Sequence, residues 1–158
     1  TAWLDSGLRD FPLAATYNSN LVNHEEGVDD NELGANTPIT ATISSGEFDI
    51  EDGDRFSFVH RVIPDITFNG STAVSPTATM TLSPLNNSGS GYNNPASVGG
   101  SNSGAVIRTA VVSIEQFTGQ VNTRVRGRQL SFTVSSDAAG VTWQLGSPRI
   151  DVRPDGRR

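Results

Sequence analysis

Gly46-Glu47-Phe48-Asp49-Ile50-Glu51-Asp52-Gly53-Asp54-Arg55-Phe56-Ser57-Phe58-Val59-His60-Arg61-Val62-Ile63 carries aromatic and β-branched residues in alternation on both sides of an Asp-Gly pair. Asp-Gly fits a tight hairpin turn that needs positive φ, so the spacing predicts strands at 46–51 and 54–63 joined across Asp52-Gly53. In the second strand Phe56, Phe58, His60 and Val62 would share one face, and Ser57, Val59, Arg61 and Ile63 the other. Both faces are expected to be largely covered, as in a central strand. Pro64 ends it.

The same period continues outward. After a turn at Asn69-Gly70, Ala78, Met80 and Leu82 alternate with Thr77, Thr79 and Thr81, which predicts a half-buried strand. Residues 83–104 are Gly-, Ser- and Asn-rich and read as a flexible loop at a sheet end. Further strands are expected at Val106–Phe117, Val121–Gly127, Gln129–Val134, Val141–Leu145 and Arg149–Arg153, each bounded by Gly, Pro, Asp or Ser. Residues 1–35 read as irregular connection with one or two short strands and a turn at Tyr17-Asn18-Ser19-Asn20, unable to close a core of their own. No stretch sustains a helical apolar period over three turns. The expected fold is all-β, an antiparallel β-sandwich of roughly seven to nine strands. It divides into a connecting segment at 1–35 and a sandwich domain at 36–158.

A length of 158 residues fits one compact domain, or one plus a fragment of another. Cys 0 excludes disulfides, thiolate metal sites and a cysteine nucleophile. Apolar runs such as Ala110–Val112 fall far short of the about 20 residues of a membrane span. The chain opens with Thr1 and reaches a strand-like pattern at once, so its start is expected to be a cut or processed end. Charge is split: residues 1–65 carry 3 Arg against 13 acids, and residues 66–158 carry 8 Arg against 4 acids. All 11 basic residues are Arg, the cation suited to bidentate contacts with carboxylates, although a GC-rich genome would give the same bias. A net charge of −6 argues against a general nucleic-acid binder.

Most site signatures fail on spacing. Asp49, Glu51, Asp52 and Asp54 attract a calcium reading, but a calcium hand needs Glu at loop position 12, where His60 stands. His24 and His60 are the only histidines, so a three-histidine zinc site is impossible. No Gly-x-Ser-x-Gly elbow occurs, Gly89, Gly91, Gly99 and Gly100 lack the Lys and helix of a phosphate loop, and carboxylate pairs for glycoside hydrolysis carry no information in so acidic a chain. No cofactor and no catalytic residue is expected.

The informative positions are charged strands. The strand period puts Arg124, Arg126 and Arg128 on one face, opposite Val121 and Val125. Likewise Arg149, Asp151 and Arg153 share a face while Ile150 and Val152 point inward. Such faces are commonly solvated; here they are expected to meet carboxylates of a neighbouring subunit, with Glu25, Glu26, Asp29 and Asp30 as the complementary patch.

These segments also carry a family resemblance. Arg124-Val125-Arg126-Gly127-Arg128-Gln129, Gly140-Val141-Thr142-Trp143-Gln144-Leu145-Gly146-Ser147-Pro148-Arg149-Ile150-Asp151 and Arg153-Pro154-Asp155-Gly156-Arg157-Arg158 resemble the C-terminal end of the tail nozzle (tail accessory or stabilisation) proteins of short-tailed bacteriophages. His24-Glu25-x-Gly27-x-Asp29-Asp30, Phe48-Asp49-Ile50-x-Asp52-Gly53-Asp54-Arg55-Phe56 and Pro64-Asp65-x-x-Phe68-x-Gly70-Ser71 follow the same order upstream. The resemblance implies a virion protein of the phage tail, with no enzymatic activity, forming part of the conduit crossed by DNA. It implies a homohexameric ring next to the tail adaptor and the fibre or spike proteins, and DNA passing without specific binding. It also implies a longer parent chain with a β-propeller-like body, whose terminal strands would lie in residues 1–35. The alternative expectation is a receptor- or glycan-binding tail tip module using the loop at 83–104.

Overall fold

The computed structural model describes residues 2–5, 10–86 and 109–155, and every regular element among them is a strand. The elements are β1 (Ala2–Leu4), β2 (Leu13–Ala15), β3 (Leu21–Asn23), β4 (Asp29–Asp30), β5 (Thr37–Pro38), β6 (Ala41–Ser44), β7 (Phe48–Asp49) and β8 (Ser57–Ile63). They continue with β9 (Ile66–Thr67), β10 (Thr77–Leu85), β11 (Ala110–Glu115), β12 (Val121–Gly127), β13 (Gln129–Ser136), β14 (Gln144–Leu145) and β15 (Arg149–Pro154). The all-β expectation is borne out, and among the described residues no helix is long and apolar enough to cross a membrane.

Two sheets supply the core. One runs β11-β10-β13-β6, with β7 also paired to β13; the other runs β12-β8-β15. Ala78, Met80, Leu82, Ile114, Leu130 and Val134 from the first join Val59, Val62, Val121 and Val125 from the second in a single buried cluster. Each of these side chains other than that of Ala78, fully buried, contributes about 1.5–3 kcal/mol. The alternation expected at 77–82 is present, with Ala78, Met80 and Leu82 each 2% exposed. The strand also runs on where a loop was expected: Ser83, Pro84 and Leu85 belong to β10 and are buried. Pro84 stands opposite Leu130 of β13. Residues 87–104 of the expected loop lie outside the described residues.

The hairpin expected across Asp52-Gly53 does not form. A tight turn exists: Gly53 has φ 69° and its N–H donates to the Ile50 carbonyl at 3.2 Å. Yet β7 pairs with β13, Phe48 opposite Leu130, while β8 lies in the other sheet. The turn carries the chain between sheets, because Ile50, 2% exposed, is drawn into the core on one side of the bend and Val59 on the other.

As expected, β8 is a central strand, between β12 and β15. Its two expected faces are not kept. Against β15, Asp151 stands opposite Arg61 and Val152 opposite Val59, so His60 has no counterpart and bulges. The bulge shifts the parity, and Val59 and Val62, three residues apart, both enter the core.

The described residues of 1–35 hold four short strands, the sheet β1-β2-β3 and β4, rather than one or two, with the turn expected at 17–20 in place: the Thr16 N–H donates to the Asn20 carbonyl at 3.0 Å and Ser19 has φ 64°. β12 matches its expected span, and β13 continues to Ser136. β11 ends at Glu115 and leaves Phe117 exposed, the expected strand at 141–145 shrinks to Gln144–Leu145, and its partner β9 was not foreseen.

Candidate functional site

The arginine strand β12 alternates cleanly: Val121, Thr123, Val125 and Gly127 are buried, while Asn122 and Arg124 are exposed. The expected row of three like charges is resolved by an aromatic ring. The guanidinium of Arg126 lies 4.0 Å from the Phe56 ring centroid and that of Arg128 4.8 Å. Arg126 Nε also donates to Asp155, whose N–H donates to the Phe56 carbonyl at 2.8 Å. The Arg128 N–H donates to the Leu85 carbonyl, and the Arg128 carbonyl accepts from the Ile50 N–H, both at 2.9 Å. Arg126 and Arg128 are thus tied into the fold, and Arg124 projects into solvent.

On β15, Arg149 and Arg153 are exposed, and Ile150 and Val152 pack against the core as expected. Asp151 is engaged within the chain: it accepts from Arg61 at 2.8 Å and lies 3.2 Å from His60 Nε2. Arg61, Arg149, Asp151 and Glu51 border a cleft of about 510 Å³ beside this strand.

The acids at 25–32 do not form one patch. Glu25 is exposed with φ 62°; Glu26 accepts from Asn23 at 2.7 Å; Asp29 accepts from the Gly140 N–H at 2.6 Å; Asp30 accepts from the Glu32 N–H at 2.9 Å. Asp49, from the second acidic run, accepts from Gln129 at 2.7 Å. Among the described residues no group of three or more His, Asp or Glu is placed to hold a metal ion.

Three clusters escaped the sequence reading. Asp65, with φ 51°, takes the N–H groups of Gly146 and Ser147 at 2.8 and 2.7 Å. Ser71 Oγ donates to the Thr142 carbonyl at 2.8 Å and accepts the Thr142 N–H at 3.0 Å. Glu32 Oε1 accepts from Thr16 at 2.5 Å, Asn18 at 3.1 Å and Asn20 at 3.3 Å, and these bonds, that from Thr16 first, hold its carboxyl below the ordinary range. The alternating polar residues Thr16, Asn18 and Asn20 in the turn were the only hint of the last.

No protein-family model matches the chain, and comparison with curated proteins gives no match.

The quoted motifs nevertheless meet one another in space. Phe56 meets Arg126, Arg128 and Asp155; Asp49 meets Gln129; Asp65 meets Gly146-Ser147; Ser71 meets Thr142; Asp29 meets Gly140. Each pair joins segments far apart in sequence, which is the work of residues that fix a fold.

Proposed function

We propose that this chain is a non-enzymatic virion component, a subunit of a ring-shaped tail nozzle that forms part of the DNA ejection conduit of a short-tailed bacteriophage. The observation that supports the reading is the division of labour among the motif residues: several are bound to each other inside the chain, while Arg124, Arg149 and Arg153 are exposed and, among the described residues, make no ion pair. A homohexameric ring uses heterologous contacts, in which one surface meets a different one on the neighbour. In such a contact the exposed Arg124, Arg149 and Arg153 would meet exposed acids of the neighbour, such as Glu25, Glu26 and Asp30. The net charge of −6 suits a wall that DNA passes without binding. Adaptor and fibre or spike proteins would contact the ring's ends.

The test is the mass of the assembly by light scattering, from about 0.05 to 0.5 M salt, where screening lengths shorten severalfold. The triple variant R124A/R149A/R153A is expected to lose the ring at lower salt than the parent. A parent chain that is monomeric throughout, or a ring indifferent to all three changes, contradicts the proposal. Six-fold density at the tail tip in images of the particle would support it.

A second reading, a receptor- or glycan-binding tail tip module, gains a specific observation away from 83–104, at the aromatic-lined pocket of the β1-β2-β3 sheet.

A further inference from the structure

Trp3 on β1 is 53% exposed and Tyr17, in the turn between β2 and β3, is 91% exposed. Both border a pocket of about 480 Å³ together with Thr16, Asn18, His24 and Glu32. That volume falls within the about 300–1,000 Å³ of small-molecule sites. The pocket is held in shape. His24 meets the Trp3 ring edge-on, with centroids 4.6 Å apart and planes at 67°, and the Tyr17 turn is closed by the bond from Thr16 N–H to the Asn20 carbonyl. All three side-chain bonds to Glu32 fall on Oε1, from Thr16, Asn18 and Asn20, so the carboxylate is anchored through one oxygen while Oε2 takes none of them.

Two exposed rings beside a fixed carboxylate oxygen select a particular ligand chemistry. A pyranose ring presents polarised C–H bonds on one face and hydroxyls around its rim. The electron-rich face of an aromatic ring attracts the former, and a carboxylate oxygen accepts from the latter with a charge-assisted bond. A quaternary ammonium would instead need rings closing round it and excluding water, and Tyr17 is far too open for that.

We propose that this pocket binds a saccharide, with Trp3 and Tyr17 as stacking surfaces and Glu32 as the hydroxyl acceptor. The site deepens the glycan-binding reading and is independent of ring formation, so loss of the ring leaves it standing.

The experiment uses the intact chain and a panel of D-glucose, D-galactose, N-acetyl-D-glucosamine and L-rhamnose, with choline chloride as the cationic comparison. Binding is followed by saturation transfer to the sugar and by the Trp3 indole resonance. The Trp143 indole, bonded to Ser136 at 2.9 Å, serves as an internal reference. At least one sugar should give a saturable shift at Trp3. Trp3→Ala, Tyr17→Ala and Glu32→Gln should each weaken it about tenfold or more, equivalent to ~1.4 kcal/mol. Tyr17 is so exposed that its replacement leaves folding intact, which keeps the test decisive if Trp3→Ala destabilises the sheet. Four results overturn the proposal: no sugar shifts Trp3; choline binds as well as any sugar; sugar binding survives Tyr17→Ala and Glu32→Gln; or the Trp3 resonance moves only with protein concentration, which marks the face as a contact between copies.

Discussion

The Arg126 guanidinium lies 4.0 Å above the ring centroid of Phe56, and that contact joins the loop entering β8 to strand β12. Phe56 is 9% exposed, so one face of an almost buried ring is covered by a cation. Arg128 reaches the same ring, at 4.8 Å. A charged pair that would repel in open solution is accommodated by the quadrupole of one aromatic side chain.

Phe56→Ala should therefore destabilise the chain by about 3–5 kcal/mol, the usual cost of removing a buried Phe. Phe56→Leu keeps most of the apolar volume and removes the ring face, so a loss of ~1–2 kcal/mol isolates the cation contacts. Urea unfolding of the two variants measures both. A negligible loss for Phe56→Leu would mean that the ring contributes nothing beyond its apolar volume.

The ion pair beside it should matter less. Side chains of Arg126 and Asp155 are 39% and 47% exposed, and solvent screening keeps such pairs at about 0–1 kcal/mol. Asp155→Asn should cost no more than that. Arg126→Ala should cost more, because the stem and guanidinium also leave Phe56. A double-mutant cycle over the two positions should return a coupling below ~1 kcal/mol.

What was legible in the sequence follows from which forces are local. The alternation at Thr77–Leu82 is a statement about one strand and one buried face, and it could be read directly. Asp52-Gly53 states only that the chain bends. Where its arms go depends on Ile50, whose N–H donates to the Arg128 carbonyl, and on Phe56, whose carbonyl accepts from Asp155, partners far along the chain. The same holds for His60, since the bulge is defined by what β15 does not place opposite it. The exposed arginine strand was visible from its period; that Arg126 and Arg128 would share a ring was not. Asp29 sits in an acidic run of the sequence, and only the folded chain brings it to the Gly140 N–H.

Gly140 is a position where a side chain has no room. Its φ is +74°, and a Cβ there would stand 2.8 Å from Thr72 Oγ1 and 2.9 Å from the Ala73 nitrogen. Its carbonyl accepts the N–H groups of Thr72 and Ala73 at 2.9 and 3.0 Å, so a shift to relieve the clash breaks bonds that fix the turn. Gly140→Ala should cost at least the ~1–3 kcal/mol of a left-handed non-glycine residue. Gly119→Ala, where nothing lies within 4 Å and φ is unremarkable, is the matched control and should stay within ~0.5 kcal/mol of the parent. Thermal or urea midpoints for both variants check the contrast.

Glu32 gives the turn between β2 and β3 a predictable response to acid. Its carboxyl sits below the ordinary glutamate value of 4.5 because Thr16, and then Asn18 and Asn20, donate to it. The ionised form is the one that the folded chain favours, so the stabilisation is fully present above the unfolded value and is lost as pH falls through the lower, folded one. A carbon-detected titration should place the Glu32 midpoint below the ordinary glutamate value. In the same titration the side-chain amide signals of Asn18 and Asn20 and the side-chain signals of Thr16 should move with Glu32, since protonation weakens the acceptor that the two amides and the Thr16 hydroxyl share. Glu32→Gln should abolish that concerted movement and leave the first sheet equally ordered at pH values on either side of it. If these three side chains shift at the midpoint of another carboxylate, or do not shift at all, the turn is held by its backbone bond alone.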